Sequence, residues 1–123
     1  MRRLSFKKVF IDPITEGRKV STLRLSTPLE PGDRVALTCQ WGQPPFAYAD
    51  VTLVRSLPLW KLTEDIAQAE GFESVVDLVK TLSRLYPGKV DFVQVVFALE
   101  AVVGDDGHVD PVPHGDVAEA SRS

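Results

Sequence analysis

The chain has 123 residues, 44% of them hydrophobic and 25% charged, and a formal net charge of -3. This is the make-up of one ordinary globular domain, long enough for a real core. The single cysteine, Cys39, excludes an internal disulfide, and its strand-like setting reads as a small buried hydrophobe rather than a nucleophile. No run approaches the ~18 apolar residues of a membrane span, and no apolar signal core follows Met1-Arg2-Arg3, so a cytoplasmic protein away from the membrane is expected.

The charge is uneven. Residues 104–123 carry Asp105, Asp106, Asp110, Asp116 and Glu119 against Arg122, a sum of -4. Residues 1–24 carry seven basic groups (Arg2, Arg3, Lys7, Lys8, Arg18, Lys19, Arg24) against Asp12 and Glu16, a sum of +5. A local concentration of this kind suits an anion or a nucleoside-like ligand. It does not suit tight grip on a long polyanion, which needs many phosphate contacts.

In chain order, Leu4-Ser5-Phe6 is a short extended start. Val9, Phe10 and Ile14 suggest a short helix ended by Gly17, with Pro13 acceptable only in its first turn. Val20 to Leu25 reads as a strand. Pro28, Pro31, Gly32 and Asp33 set the turn before a second long strand, Arg34 to Gln40. The loop Trp41 to Pro45 leads to a strand from Phe46 to Leu57, with Val51, Leu53 and Leu57 on one parity and Val54 offset. Thr63 is a candidate N-cap for a helix that runs to about Glu70 and stops at Gly71. Ser74 then starts a helix whose stripe is Val75, Leu78, Val79, Leu82, Leu85 and Tyr86, ended by Pro87-Gly88. Phe92 to Val103 is nearly continuous apolar and β-branched, the pattern of a buried central strand. Residues 1–103 therefore form the domain, and 104–123 an acidic tail expected to be disordered. Four or five strands with two helices between the last two fit an α+β, partly closed antiparallel β-barrel flanked by helices.

The chemistry concentrates in Gly17-Arg18-Lys19-Val20-Ser21-Thr22-Leu23-Arg24. A threonine hydroxyl is a poor nucleophile until a base takes its proton. A lysine serves as that base only if its ammonium is destabilised by desolvation or by neighbouring positive charge. Residues three apart on a strand face opposite ways, so Lys19 and Thr22 can meet only if Lys19 lies in the turn before the strand. On residues alone, Lys19 reads as a solvated surface lysine. Arg24 shares the parity of Thr22. It is open to two roles, gripping a carbonyl or phosphate oxygen or forming a structural ion pair. Arg18 reads as a surface residue. Glu70 at a helix C-terminus has a reason for a raised pKa, which suits a proton donor, with Glu64 and Glu73 as competitors. Among the aromatics, Trp41 or Phe46 is the expected pocket wall. His108 and His114 have no cysteines around them, and no metal site is expected.

The pattern Gly17-x-Lys19-x-x-Thr22-x-Arg24 resembles the signature of the ASCH domain family, which has the PUA-like fold. The likeness continues through Pro31-Gly32-Asp33, Leu62-Thr63-Glu64 and Leu85-Tyr86-Pro87-Gly88, and within the family it is nearest to the small bacterial N(4)-acetylcytidine amidohydrolases. The resemblance implies a PUA-like barrel with two or three flanking helices, covering about residues 4–101. It implies Lys19 as base, Thr22 as nucleophile and Glu70 as proton donor; Arg24 and Arg18 are the basic residues expected beside a substrate, and no cofactor is expected. It also implies a nucleoside substrate, with RNA binding or ribonuclease activity as alternatives.

Overall fold

The computed structural model describes residues 1–39 and 42–112. Six strands form one sheet: β1 (Arg2–Ser5), β2 (Ser21–Arg24), β3 (Arg34–Thr38), β4 (Ala47–Pro58), β5 (Asp91–Val103) and β6 (Val109–Pro111). Three α-helices accompany it: α1 (Ile11–Thr15), α2 (Glu64–Ala69) and α3 (Val75–Leu85). The strand order is β1-β3-β4-β5-β2, and β6 pairs with the far end of β5. The fold is thus α+β, with β4 and β5 as the long central pair.

Two details depart from a wholly antiparallel barrel. β1 runs parallel to β3, because the chain passes through α1 and β2 before it returns in the same direction. The hydrogen-bonded ladder does not close, and β1 and β2 remain its edges. The edges nevertheless meet at one point, where Arg24 Nη2 donates to the Ser5 carbonyl at 2.6 Å. The sheet is curled and tied by a side chain rather than sealed by backbone bonds.

Local signals explain most element ends. The Thr63 side chain accepts from the Ile66 N–H at the start of α2, and Ser74 accepts from the Asp77 N–H at the start of α3. Pro13 sits in the first turn of α1, where its missing N–H costs nothing. The helix starts at Ile11, after a 3₁₀ turn over Lys8–Phe10. In β4 the register shifts between Val51 and Leu53. This bulge turns Leu53 out to solvent and lets Val54 pack against the core, which accounts for its offset in the apolar pattern.

The expectation of disorder from Gly104 onward is corrected for residues up to 112. Gly104 N–H bonds to the His108 carbonyl at 2.8 Å, Asp106 accepts from the His108 N–H, and Gly107 supplies a φ of +85°. That turn folds β6 back onto β5. The rest of the tail, His114 included, lies outside the described residues. Among the described residues, no helix is long and apolar enough to cross a membrane.

There are two apolar clusters. The larger fills the curl of the sheet around Leu4, Phe6, Ile14, Val35, Leu37, Val95 and Phe97. The smaller lies under α2 and α3, with Leu23, Leu57, Ala67, Leu78, Leu82 and Phe92. Among the described residues, the buried polar side chains are Lys19, Ser21, Thr22, Thr38, Glu70 and Gln94. Leu78 is 1% exposed. Truncating such a residue costs roughly 2–5 kcal/mol, whereas losing a helix cap costs about 1. Leu78→Ala is therefore expected to lower the denaturant midpoint substantially more than Thr63→Ala.

Candidate active site

Lys19 is 3% exposed, so the reading of a solvated surface lysine is overturned. The cause is the turn that precedes it. The Pro13 carbonyl accepts from both Arg18 N–H and Lys19 N–H, at 2.8 and 3.0 Å, and Gly17 turns the chain with a φ of +82°. Val20 N–H then bonds to the Ala69 carbonyl at the end of α2, and the Val20 carbonyl accepts from Phe97 on β5. Lys19 is thereby held out of strand geometry and aimed under α2.

β2 pairs with β5 along one side only. Val20 bonds toward β5, so by alternation the backbone groups of Ser21 and Leu23 point to the free edge. Two side chains take the place of a further strand there. Lys19 Nζ donates to the Ser21 carbonyl at 2.8 Å and to the Glu70 carbonyl at 2.6 Å. The Glu70 carboxylate accepts from the Leu23 N–H, and its Oε1 lies 3.8 Å from Lys19 Nζ. Glu70 Oε2 also accepts the Ser21 hydroxyl. Ser21 in turn accepts from Gln94 Nε2 at 3.3 Å, and Gln94 Oε1 accepts from Arg55 Nε at 2.8 Å. The chain Arg55–Gln94–Ser21–Glu70 fixes the carboxylate from behind.

Burial sets the protonation of the pair. It lowers the Lys19 pKa from 10.5 to about 8, with Arg24 adding to the fall and Glu70 opposing it. It raises the Glu70 pKa, against the pull of Lys19, Ser21, Gln94 and Leu23. The rings of Phe10 and Phe6, with centroids 4.6 and 5.8 Å from Nζ, favour the ammonium. With a pKa of about 8, a minority of Lys19 is the neutral amine at pH 7. The amine keeps two N–H groups for the two carbonyls, so its lone pair takes the third position. That is the state of a general base.

Lys19, Thr22, Arg24 and Glu70 all line one cavity of about 510 Å³. Phe6, Phe10, Phe72 and Tyr86 supply its aromatic walls, and Leu78, Leu82 and Leu85 of α3 an apolar side. Arg24 Nε donates to Thr22 Oγ1 at 3.2 Å, which leaves the hydroxyl hydrogen available to another acceptor. Burial pushes the Arg24 guanidinium below its ordinary pKa, against Tyr86 and Glu70. The arrangement offers a hydroxyl with a bound cation, a partly neutral amine and a carboxyl group that holds its proton more tightly than usual.

Of the residues expected from sequence, Lys19, Thr22, Glu70 and Arg24 are brought together. Of the competitors, Glu64 accepts from Val75 N–H at the start of α3, and neither it nor Glu73 lines the cavity. Arg18 is exposed, paired with Glu16 at 2.5 Å, and outside the lining. Phe46 packs against the larger core cluster and is not a wall of the cavity. Trp41 lies outside the described residues. Sequence reasoning missed Ser21, Gln94 and the aromatic walls. Gln94 carried a signal, a polar residue inside the apolar run Phe92 to Val103.

The molecule is thus an α+β domain of PUA-like fold with a lysine–carboxylate cavity at the free edge of its sheet. Its fold is that of the ASCH domain. The ASCH domain from Lactobacillus crispatus JV V101 matches with a TM-score of 0.63 and 17% identity, over 80% of this chain and 79% of that one. ASCH from Zymomonas mobilis matches with a TM-score of 0.65 and 9% identity, over 98% of this chain and 92% of that one. A protein of Enterococcus faecalis V583 gives a TM-score of 0.58 and 20% identity, over 74% of this chain and 69% of that one. No family model and no curated protein matches the sequence.

Two predictions follow from the geometry. Between about pH 8 and 10.5 the unfolded Lys19 binds a proton that the folded one has lost, so stability rises with pH in that window. The gain between pH 8 and 10 is about 2 kcal/mol. Urea titrations of the wild type at pH 8 and 10 are expected to show it, and Lys19→Met to lack it. Gly71 has a φ of +89°, and a Cβ there would lie 3.3 Å from Lys19 Cβ and Cδ. Gly71→Ala is expected to destabilise the fold by at least about 1 kcal/mol, read from the same titration.

Proposed function

We propose that the protein is an amidohydrolase that removes an acyl group from the exocyclic amine of a cytosine nucleoside, most simply N(4)-acetylcytidine. The observation that carries this is the buried pair Lys19–Glu70 opening on the cavity that holds Thr22. The aromatic walls suit a planar base, whose faces stack on rings. The resemblance of Gly17-x-Lys19-x-x-Thr22-x-Arg24 to the amidohydrolase signature gives the same assignment of roles.

The neutral Lys19 amine takes the proton of the Thr22 hydroxyl as Oγ1 adds to the acyl carbonyl. The carbonyl electrons move onto oxygen, and an Arg24 N–H or a backbone amide holds the oxyanion. When the tetrahedral adduct collapses, the C–N bond breaks and Glu70 gives its proton to the departing cytosine amine. Glu70 then takes a proton from a water whose oxygen adds to the acyl-threonine; the ester bond breaks, Lys19 gives its proton back to Thr22 Oγ1, and acetic acid leaves and loses its proton to solvent. Lys19 and Glu70 are then back in their starting protonation. Burial of the pair favours the amine-plus-acid form that this sequence uses.

Incubation with N(4)-acetylcytidine is expected to yield cytidine and acetate in equal amounts. Thr22→Ala and Lys19→Met are expected to lower kcat by at least about 10²–10⁴-fold. The kcat/KM profile is expected to have a limb near pH 8, set by Lys19. No turnover by the wild type, or full turnover by Thr22→Ala, would refute this reading. Cleavage of unmodified RNA, lost with the same substitutions, would assign the cavity to a ribonuclease instead.

A further inference from the structure

A second cavity of about 470 Å³ lies beside the first. The two share Ser5, Phe6, Lys7 and Arg24, and Lys8 and Cys39 complete the second lining. Among the described residues, its lining carries three cationic side chains, Lys7, Lys8 and Arg24, and no acid. The chain as a whole has a formal charge of -3, so the positive potential here is a local feature.

The two lysines are uncommitted, and Arg24 is committed only in part. Elsewhere Arg18 is answered by Glu16, Arg34 by Asp50, and Lys19 by Glu70. Lys7 and Lys8 are exposed, and their side chains make no ion pair or hydrogen bond among the described residues. A guanidinium has five N–H donors. Arg24 uses one on Thr22 and one on Ser5, which leaves three without an acceptor among the described residues. Arg24 Nη1 makes none of these bonds, and no buried side-chain atom among the described residues lacks a partner, so Nη1 is not fully buried; the residue lines both cavities. Arg24 thus stands between the two cavities, with one face toward Thr22 and donors to spare.

We propose that the second cavity is an anion subsite that takes the phosphate ester of a nucleoside 5′-phosphate whose base occupies the first cavity. Arg24 gives the directional bonds, because its planar fork matches two phosphate oxygens. Lys7 and Lys8 act as point charges at the rim. A run of three cations fits one phosphate monoester, whereas a long strand would need more contacts than this face offers. The identity of the base rests on the reading above; the anion subsite rests on the second cavity alone.

The test is calorimetric titration with cytidine, cytidine 5′-monophosphate and inorganic phosphate at low salt. The proteins are wild type, Lys7→Gln with Lys8→Gln, and Lys61→Gln as a control for general charge. The monophosphate is expected to bind at least about tenfold more tightly than cytidine, with the advantage falling to about threefold or less in the double variant. Lys61→Gln is expected to keep the advantage, and inorganic phosphate to compete with the monophosphate. Thermal unfolding verifies that the double variant, altered only at exposed lysines, is folded. Equal affinity for cytidine and its monophosphate would overturn the subsite, as would an advantage that survives the double substitution. If acetylcytidine is still hydrolysed in that case, the amidohydrolase reading stands and only the subsite falls. Saturable phosphate binding lost in the double variant, with no affinity for cytidine, would support the subsite and remove the nucleoside reading.

Discussion

The free edge of β2 is closed by two charged side chains instead of a strand, and the rest of the site depends on that substitution. An unpaired edge leaves N–H and C=O groups that must find partners. Here an ammonium takes the Ser21 carbonyl and a carboxylate takes the Leu23 N–H. Because no strand follows, a cavity opens beside the edge, and the groups that close it also line it. The same contacts that finish the sheet therefore create an amine of lowered pKa and an acid of raised pKa within one wall.

Such a pair is an expensive way to complete a sheet. Desolvation of two charges commonly matches or exceeds their attraction, and an apolar replacement is often as stable. The hydrogen bonds from Ser21, Gln94 and Leu23 offset part of that cost for the carboxylate, as the two carbonyls do for the amine. What the pair supplies beyond stability is an amine that loses its proton more easily than usual and an acid that holds its proton more tightly. That property has value in acid–base chemistry and little in architecture. The fold keeps the pair in place through short covalent reach on both sides: the Pro13 turn delivers Lys19, and the C-terminal end of α2 delivers Glu70.

Much of this was legible because it is local. The Thr63 and Ser74 caps, the apolar stripe of α3 and the long run of β5 are patterns within a few residues, and each folds as its pattern implies. The convergence of Lys19, Thr22 and Glu70 was legible only through the resemblance, since strand parity alone sets Lys19 and Thr22 apart. Burial of Lys19 depends on two bonds to the Pro13 carbonyl, which no periodicity encodes. Phe46 and the cavity aromatics have the same chemistry in sequence. Position in the fold decides that Phe46 only packs against the core, while Phe6 and Phe10, which also touch it, and Phe72 line the cavity. The β5–β6 turn was hidden by composition: acidic residues suggested disorder, although Asp106-Gly107 is a hairpin signal in its own right. The parallel pairing of β1 with β3 was hidden for a different reason, because it is fixed by the path of the intervening chain.

The account turns on a lysine whose proton is held weakly. Nuclear magnetic resonance titration of Lys19 Nζ, assigned by comparison with Lys19→Met, measures this directly. A midpoint near pH 8, moving lower in Glu70→Gln as the carboxylate's attraction is removed, is the predicted result. A midpoint at the ordinary lysine value near 10.5, indifferent to Glu70, would contradict the claim that the sheet edge has made a base.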